Sequence, residues 1–129
     1  MRLEPLYRLA FRYSGMWDAD DQRLLYGEGR ADGRVSGSFR GMNRAHRRGD
    51  GSFEPDYAAV IETDDGAAIL WHLTGYGWPT EGRVVATIKH RCDDERYEWL
   101  NHVLCAANGT VGRREVVLDV AELIWEPIP

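Results

Sequence analysis

The chain has 129 residues, 43% of them hydrophobic and 29% charged, with a formal net charge of -5. That size fits one domain with one core. The acidic balance excludes the basic footprint a nucleic-acid partner needs, and no apolar run approaches the ~20 residues that carry a helix across a bilayer.

Met1-Arg2-Leu3-Glu4-Pro5 has no signal-peptide core, so a cytoplasmic protein without a membrane partner is expected. In chain order, Leu3, Tyr7, Leu9, Phe11 and Tyr13 fall on odd positions, and Arg2, Glu4, Arg8 and Arg12 on even ones. That alternation predicts a half-buried strand. Ser14-Gly15 predicts its end, followed by an acidic loop over Asp18 to Asp21. A short strand follows near Leu24 to Tyr26. Arg34 to Asn43 reads as a strand with Val35, Gly37, Phe39 and Gly41 on one face, its glycines suiting a barrel corner. Asn43 to Phe53 reads as a long exposed loop. Its Arg44, His46, Arg47 and Arg48 make a solvated charge run or a site for phosphate or an acidic partner.

Two β-prone runs then flank Asp64-Asp65-Gly66, a strong hairpin signal because glycine accepts positive φ. Gly75-Tyr76-Gly77-Trp78-Pro79 reads as a loop, and Arg83 to Arg91 as a strand with Val84, Ala86, Ile88 and His90 on one face. At most one short helical turn is expected near residues 94–100, with an aspartate as its N-cap. A strand near His102 to Ala106, a turn at Asn108-Gly109 and a last strand over Glu115 to Trp125 complete the chain. The fold class is therefore all-β, a single antiparallel β-barrel or a sandwich. Closure into a barrel removes the exposed edges that so many strands would leave.

Several blocks carry a resemblance. Tyr57…Thr63-Asp64-Asp65-Gly66-Ala67…Ile69, Tyr97-Glu98-Trp99-Leu100-Asn101 and the closing Ala121-Glu122-Leu123-Ile124-Trp125-Glu126-Pro127 resemble the small bacterial proteins of domain of unknown function 3237. So do Leu3-Glu4-Pro5-Leu6 and Gly37-Ser38-Phe39-Arg40-Gly41. The resemblance implies a barrel similar to those of allene oxide cyclase and dirigent proteins, which hold an apolar or aromatic small molecule and steer cyclisation or coupling. It also implies a homodimer, which five tryptophans favour. The arginine-rich stretch from Asn43 to Gly51 departs from the family pattern and sets the ligand apart.

The candidate site follows from which groups a barrel could turn inward. Trp71 and His72 lie on opposite faces of one strand, so only one of them lines the lumen. His72 and Glu62, if interior, would be acid/base groups, as would His90 on its apolar face. If exterior, His72 and Glu62 are surface charges, and His90 is otherwise a satisfied core residue. Tyr57, Trp71, Tyr76, Trp78, Trp99 and Asn101 are the substrate-binding candidates. Tyr76 and Trp78 form a possible lid, and Asn101 is either a substrate contact or a structural amide. Cys92 and Cys105 are expected to be buried thiols. His90/Cys92 and His102/Cys105 do not make a metal site, since His102 and Cys105 face opposite ways on a strand. No cofactor is expected. The sequence thus points to a cofactor-independent isomerase, cyclase or lyase acting on a small hydrophobic or aromatic ligand, or to a non-catalytic barrel that binds one.

Overall fold

The computed structural model describes residues 1–129. Nine strands follow one another: β1 (Arg2–Ala19), β2 (Gln22–Gly33), β3 (Gly37–Arg47), β4 (Phe53–Glu54), β5 (Asp56–Thr63), β6 (Ala68–Trp78), β7 (Arg83–Arg91), β8 (Leu104–Val111) and β9 (Glu115–Ile124). A 3-10 turn, Glu98–His102, joins β7 to β8. All pairings are antiparallel, and the β2–β3 ladder closes the sheet on itself. Eight strands form the barrel. The two-residue β4 is the ninth, wedged between β3 and β6 at one end. No helix is long and apolar enough to cross a membrane.

Period-2 alternation dictates the wall. In β7, Val84, Ala86, Ile88 and His90 are buried, and every residue between them is exposed. In β9, Val116, Leu118 and Val120 turn inward. In β3, Gly37, Phe39, Asn43 and Ala45 do so. One continuous cluster of 23 buried residues fills the lumen. On the outside, ion pairs link adjacent strands, including Arg8–Asp119 and Arg40–Glu62. Such exposed pairs add little stability, so the core carries the fold.

Several local expectations are corrected. The first strand does not stop at Ser14-Gly15. A register shift between Tyr13 and Gly15 absorbs the irregularity, and β1 runs on to a hairpin at Asp20-Asp21. A second shift, between Pro5 and Tyr7, buries both Leu6 and Tyr7 and leaves Leu3 exposed. Residues 43–47 and 75–78 extend β3 and β6 rather than forming loops, because each has a partner strand there. Asn108-Gly109 lies within β8. Gly109 is there because a Cβ would strike the Val117 backbone carbonyl of β9, so the pair marks a close strand approach, not a turn. A single short helical turn is present near the expected residues, as a 3-10 turn over Glu98–His102. Its N-cap is Tyr97, with no side-chain cap bond, while Asp94 accepts the Arg96 backbone N–H at 3.0 Å.

The Asp64-Asp65-Gly66 hairpin is present, with Gly66 at φ 93°. It lies at the same end of the barrel as the 3-10 turn. Tyr97 donates its hydroxyl to the Asp65 carboxylate at 2.9 Å, and Arg96 donates to the Asp65 carbonyl at 2.7 Å. Leu100 is driven into the barrel end and is fully buried, next to the buried Cys92. This end is plugged; the other is open.

Candidate functional site: the open barrel mouth

The two ends of the lumen differ in chemistry. At the plugged end, Tyr7 from β1 lies between Trp71 of β6 and His90 of β7. The Trp71 indole donates to the Tyr7 hydroxyl at 3.0 Å, and that hydroxyl is 2.7 Å from His90 Nε2. His90 Nδ1 has no hydrogen-bond partner. Burial lowers the His90 pKa to about 4 and raises that of Tyr7, so both are neutral near pH 7. The Tyr7 hydroxyl accepts from the indole and has its own proton to donate; donation to His90 Nε2 would put the proton of the neutral ring on Nδ1.

An aromatic belt separates this network from the opposite end. Phe39 and Trp71 meet edge to face at 4.8 Å, Tyr57 and Trp71 at 5.3 Å, and Phe11 and Tyr57 at 5.5 Å. Such contacts are favourable beyond the area they bury.

Beyond the belt the barrel opens into a cavity of about 170 Å3. Tyr57, Leu73, Val84 and Leu118 are among its buried walls, and Met16, Phe53 and Trp78 reach it nearer the rim. Three uncharged polar side chains line this apolar space. Asn43, itself buried, donates through Nδ2 to the Tyr13 hydroxyl oxygen at 3.2 Å and accepts the Asp56 backbone N–H at 3.1 Å. Tyr13 therefore keeps its own O–H proton without a protein acceptor. Burial pushes its pKa up to about 12, against the opposing bond from Asn43, so the phenol stays protonated. The Tyr57 hydroxyl has only a long contact, 3.5 Å, to the Gly41 carbonyl. Burial raises its pKa as well. The mouth thus offers neutral phenolic donors on an apolar wall, the usual make-up of a small-molecule pocket.

The sequence candidates divide between these places. Tyr57 and Trp78 line the mouth, and Trp71 lies behind the aromatic belt. His90 is inside the barrel, at the plugged end. Glu62 and His72 take the exterior alternative, which corrects their assignment as interior acid/base groups. The inward set of β5 is Tyr57, Ala59, Ile61 and Thr63, and that of β6 is Ile69, Trp71 and Leu73, so both residues point out. Glu62 pairs with Arg40 at 2.8 Å and His72 with Asp56 at 2.7 Å on the outer wall. Tyr76 is also corrected. It lies on the outer face, with the Arg48 guanidinium 4.7 Å above its ring. Trp99 is at the plugged end, where its indole donates to the Arg96 carbonyl and Arg34 stacks on it. Asn101 is the structural amide. It accepts the Cys92 N–H and donates to the Cys92 carbonyl, both at 2.8 Å. Cys92 and Cys105 are buried free thiols.

Sequence reasoning missed Tyr13, Asn43 and the arginines Arg23 and Arg113, which also border the cavity. Two of them carried a signal. Tyr13 continues the Leu9–Phe11 face, and Asn43 continues the Gly37–Phe39–Gly41 face.

No protein-family model matches the chain, and no curated protein matches it. Solved structures do share its fold. A β-barrel like protein from Acinetobacter baumannii is 20% identical, with a TM-score of 0.84 over 95% of this chain and 96% of that one. A conserved protein of unknown function from Rhodopseudomonas palustris is 18% identical, with a TM-score of 0.87 over 95% and 97%. An enzyme from Penicillium herquei is 23% identical, with a TM-score of 0.68 over 92% and 93%. At these identities the likeness establishes a shared small-barrel fold and no more.

Proposed function

We propose that this barrel binds a small apolar or aromatic metabolite in its open mouth, with the Tyr13 hydroxyl donating a hydrogen bond to an oxygen or nitrogen of that ligand. The observation that carries the reading is the Tyr13 O–H, held in place by Asn43 and left without an acceptor at the edge of an apolar cavity. Tyr13 is partly buried, and a ligand acceptor that replaces water at this donor contributes about 0.5–1.5 kcal/mol net. The cavity matches in size, since an apolar void of about 150 Å3 accommodates a benzene ring. The resemblance to domain of unknown function 3237 fits the same picture. Its Thr63–Ala67 and Tyr97–Asn101 blocks meet through the Tyr97–Asp65 bond and brace the end opposite the mouth.

Backbone amide spectra recorded during titration with indole and 2-naphthol test the proposal. Shifts confined to Tyr13, Asn43, Leu73, Val84 and their neighbours are expected, together with their loss in Val84→Phe, which fills the cavity. Binding that survives Val84→Phe in a folded variant, or no shifts at the mouth at millimolar ligand, rejects it.

A second reading, a cofactor-independent isomerase, cyclase or lyase, is favoured by the same phenols. Tyr13 and Tyr57 remain protonated well above neutral pH, so either could hydrogen-bond a developing oxyanion, while the raised pKa makes both weak proton donors. The Penicillium herquei neighbour lends this reading only its fold. His90 has a part in it only if a substrate passes the aromatic belt.

A further inference from the structure

We propose that the mouth selects anionic ligands: a single aromatic or apolar body inside the cavity, with a carboxylate-type head at the rim held by Arg113 and supported by Arg23. This rests on the mouth-binding reading above and names the ligand class.

Charge placement carries the argument. Over the whole chain Asp and Glu outnumber Lys and Arg by 21 to 16. The cavity lining reverses that balance. Its only ionisable side chains besides the two phenols are Arg23 and Arg113, and no carboxylate borders it. Arg113, in the turn between β8 and β9, makes no ion pair and no side-chain hydrogen bond in a protein where most arginines are paired. Arg23 reaches the cavity from β2. It is held by Asp18 at 2.7 Å and lies 5.5 Å from the centroid of Phe53, so its position is fixed while its charge is partly met. Other cations nearby are already engaged. Arg48 is paired with Asp50 and Glu54, and Arg83 is paired with Glu81 and stacked on Trp78 at 3.9 Å. Arg47 stacks on Phe53 and lies near Asp18. The turns at this end also carry Asp18, Asp20, Asp21, Asp50, Glu54 and Glu81, so the positive character belongs to the cavity lining itself, where Arg113 is the one guanidinium without a partner and its planar fork suits a carboxylate.

The apolar floor and the charged rim together define an amphiphilic anion. One ring fills the cavity, and a tether of one to three carbons extends to the guanidinium. A neutral isostere would keep the ring contact and lose the charge-assisted bond. That bond is the stronger kind, but Arg113 is exposed, so its loss weakens binding by about twofold to fivefold.

The test uses matched pairs: 3-phenylpropionate with 3-phenylpropionamide, and indole-3-acetate with indole-3-acetamide. Each is titrated into the protein and followed by backbone amide shifts. Acids are expected to bind about twofold to fivefold more tightly than their amides at low salt. Arg113→Gln should remove most of that preference by weakening the acids far more than the amides, and Arg23→Gln should remove part of it. Raising the salt concentration should weaken the acids alone. Acids and amides binding the mouth equally, or a preference that survives Arg113→Gln, overturns the anion proposal and leaves mouth binding intact. Failure of all four compounds to shift mouth residues overturns both. Because Arg113 lies in an exposed turn, Arg113→Gln is expected to fold as the parent does, and its unfolding midpoint verifies this.

Discussion

The Asn43 amide donates to the Tyr13 hydroxyl oxygen across 3.2 Å, and this contact sets the polarity of the barrel mouth. Because the oxygen accepts from Asn43, the phenolic proton is turned to the cavity. Tyr13→Phe keeps the ring and deletes only that donor. Affinity for a ligand that accepts at this point is expected to fall about fivefold to tenfold, and stability by about 1 kcal/mol, since Asn43 loses one partner. Titration of a phenol or carbonyl fragment, with a denaturation curve on the same variant, measures both. Tyr57→Phe is expected to cost less stability, because its hydroxyl makes only the 3.5 Å contact.

His90 predicts a pH dependence of stability. Burial lowers its pKa from 6.5 to about 4 in the folded protein, so the unfolded chain takes up this proton first as pH falls. Stability from this group is complete above about pH 6.5 and is lost progressively down to about pH 4, below which the loss levels off. Its size is on the order of 3 kcal/mol at most. Carboxyls such as Asp94, held near 2 chiefly by Arg96, titrate lower and fall largely outside this window. The expected result is an unfolding free energy that drops between pH 6.5 and 4 in the parent and far less in His90→Gln. An equal slope in the two proteins would show that His90 is not buried in its neutral form.

His72 and Glu62 provide the opposite expectation. Both are exposed and paired on the outer wall, with Asp56 and Arg40 respectively. His72→Ala and Glu62→Ala should each leave mouth binding unchanged and alter stability only within the small range of surface ion pairs. A loss of ligand binding in either variant, read by the same amide shifts, would move the site to the outer wall.

How far the sequence could be read follows from these cases. Alternation in β7 assigned every inward residue correctly, His90 included, because that strand has no bulge. The absolute direction of a face was not legible for β5 and β6. Period 2 says that Trp71 and His72 diverge, but only closure of the barrel says which one is inside. Strand ends were misjudged wherever a long-range ladder outvoted local turn residues, as at Ser14-Gly15 and Gly75–Trp78. The mouth was hidden for a related reason. Tyr13, Asn43, Arg23 and Arg113 come from three strands and a turn, and nothing in their spacing marks them as neighbours.

Gly109 offers a test of the close approach between β8 and β9. Any Cβ there meets the Val117 backbone, which cannot rotate away, whereas Gly77 at the mouth has open space. Gly109→Ala should destabilise by more than about 2 kcal/mol or prevent folding, as overpacking against a fixed neighbour does. Gly77→Ala should be close to neutral. Thermal unfolding of the two variants side by side decides it, and equal midpoints would contradict the tight ladder.

The plugged end predicts that stability and binding can be separated. Leu100 is fully buried where the 3-10 turn crosses the barrel, and Tyr97 fastens that turn to the hairpin through Asp65. The hydrogen bonds from Thr63 and Tyr97 hold the Asp65 carboxyl below its usual range, so the link is made by the ionised form. Leu100→Ala leaves a void and should cost about 2–5 kcal/mol. Asp65→Asn weakens the exposed bonds from Tyr97 and Arg96 and the part-buried one from Thr63, and should cause a smaller drop in midpoint, together with faster amide exchange over residues 96–103. The aromatic belt of Phe11, Phe39, Tyr57 and Trp71 lies between this end and the mouth, so neither variant should change ligand affinity at a temperature where both are folded. Parallel losses of stability and affinity across the two variants would mean that the belt does not isolate the ends, and that the lumen responds as one unit.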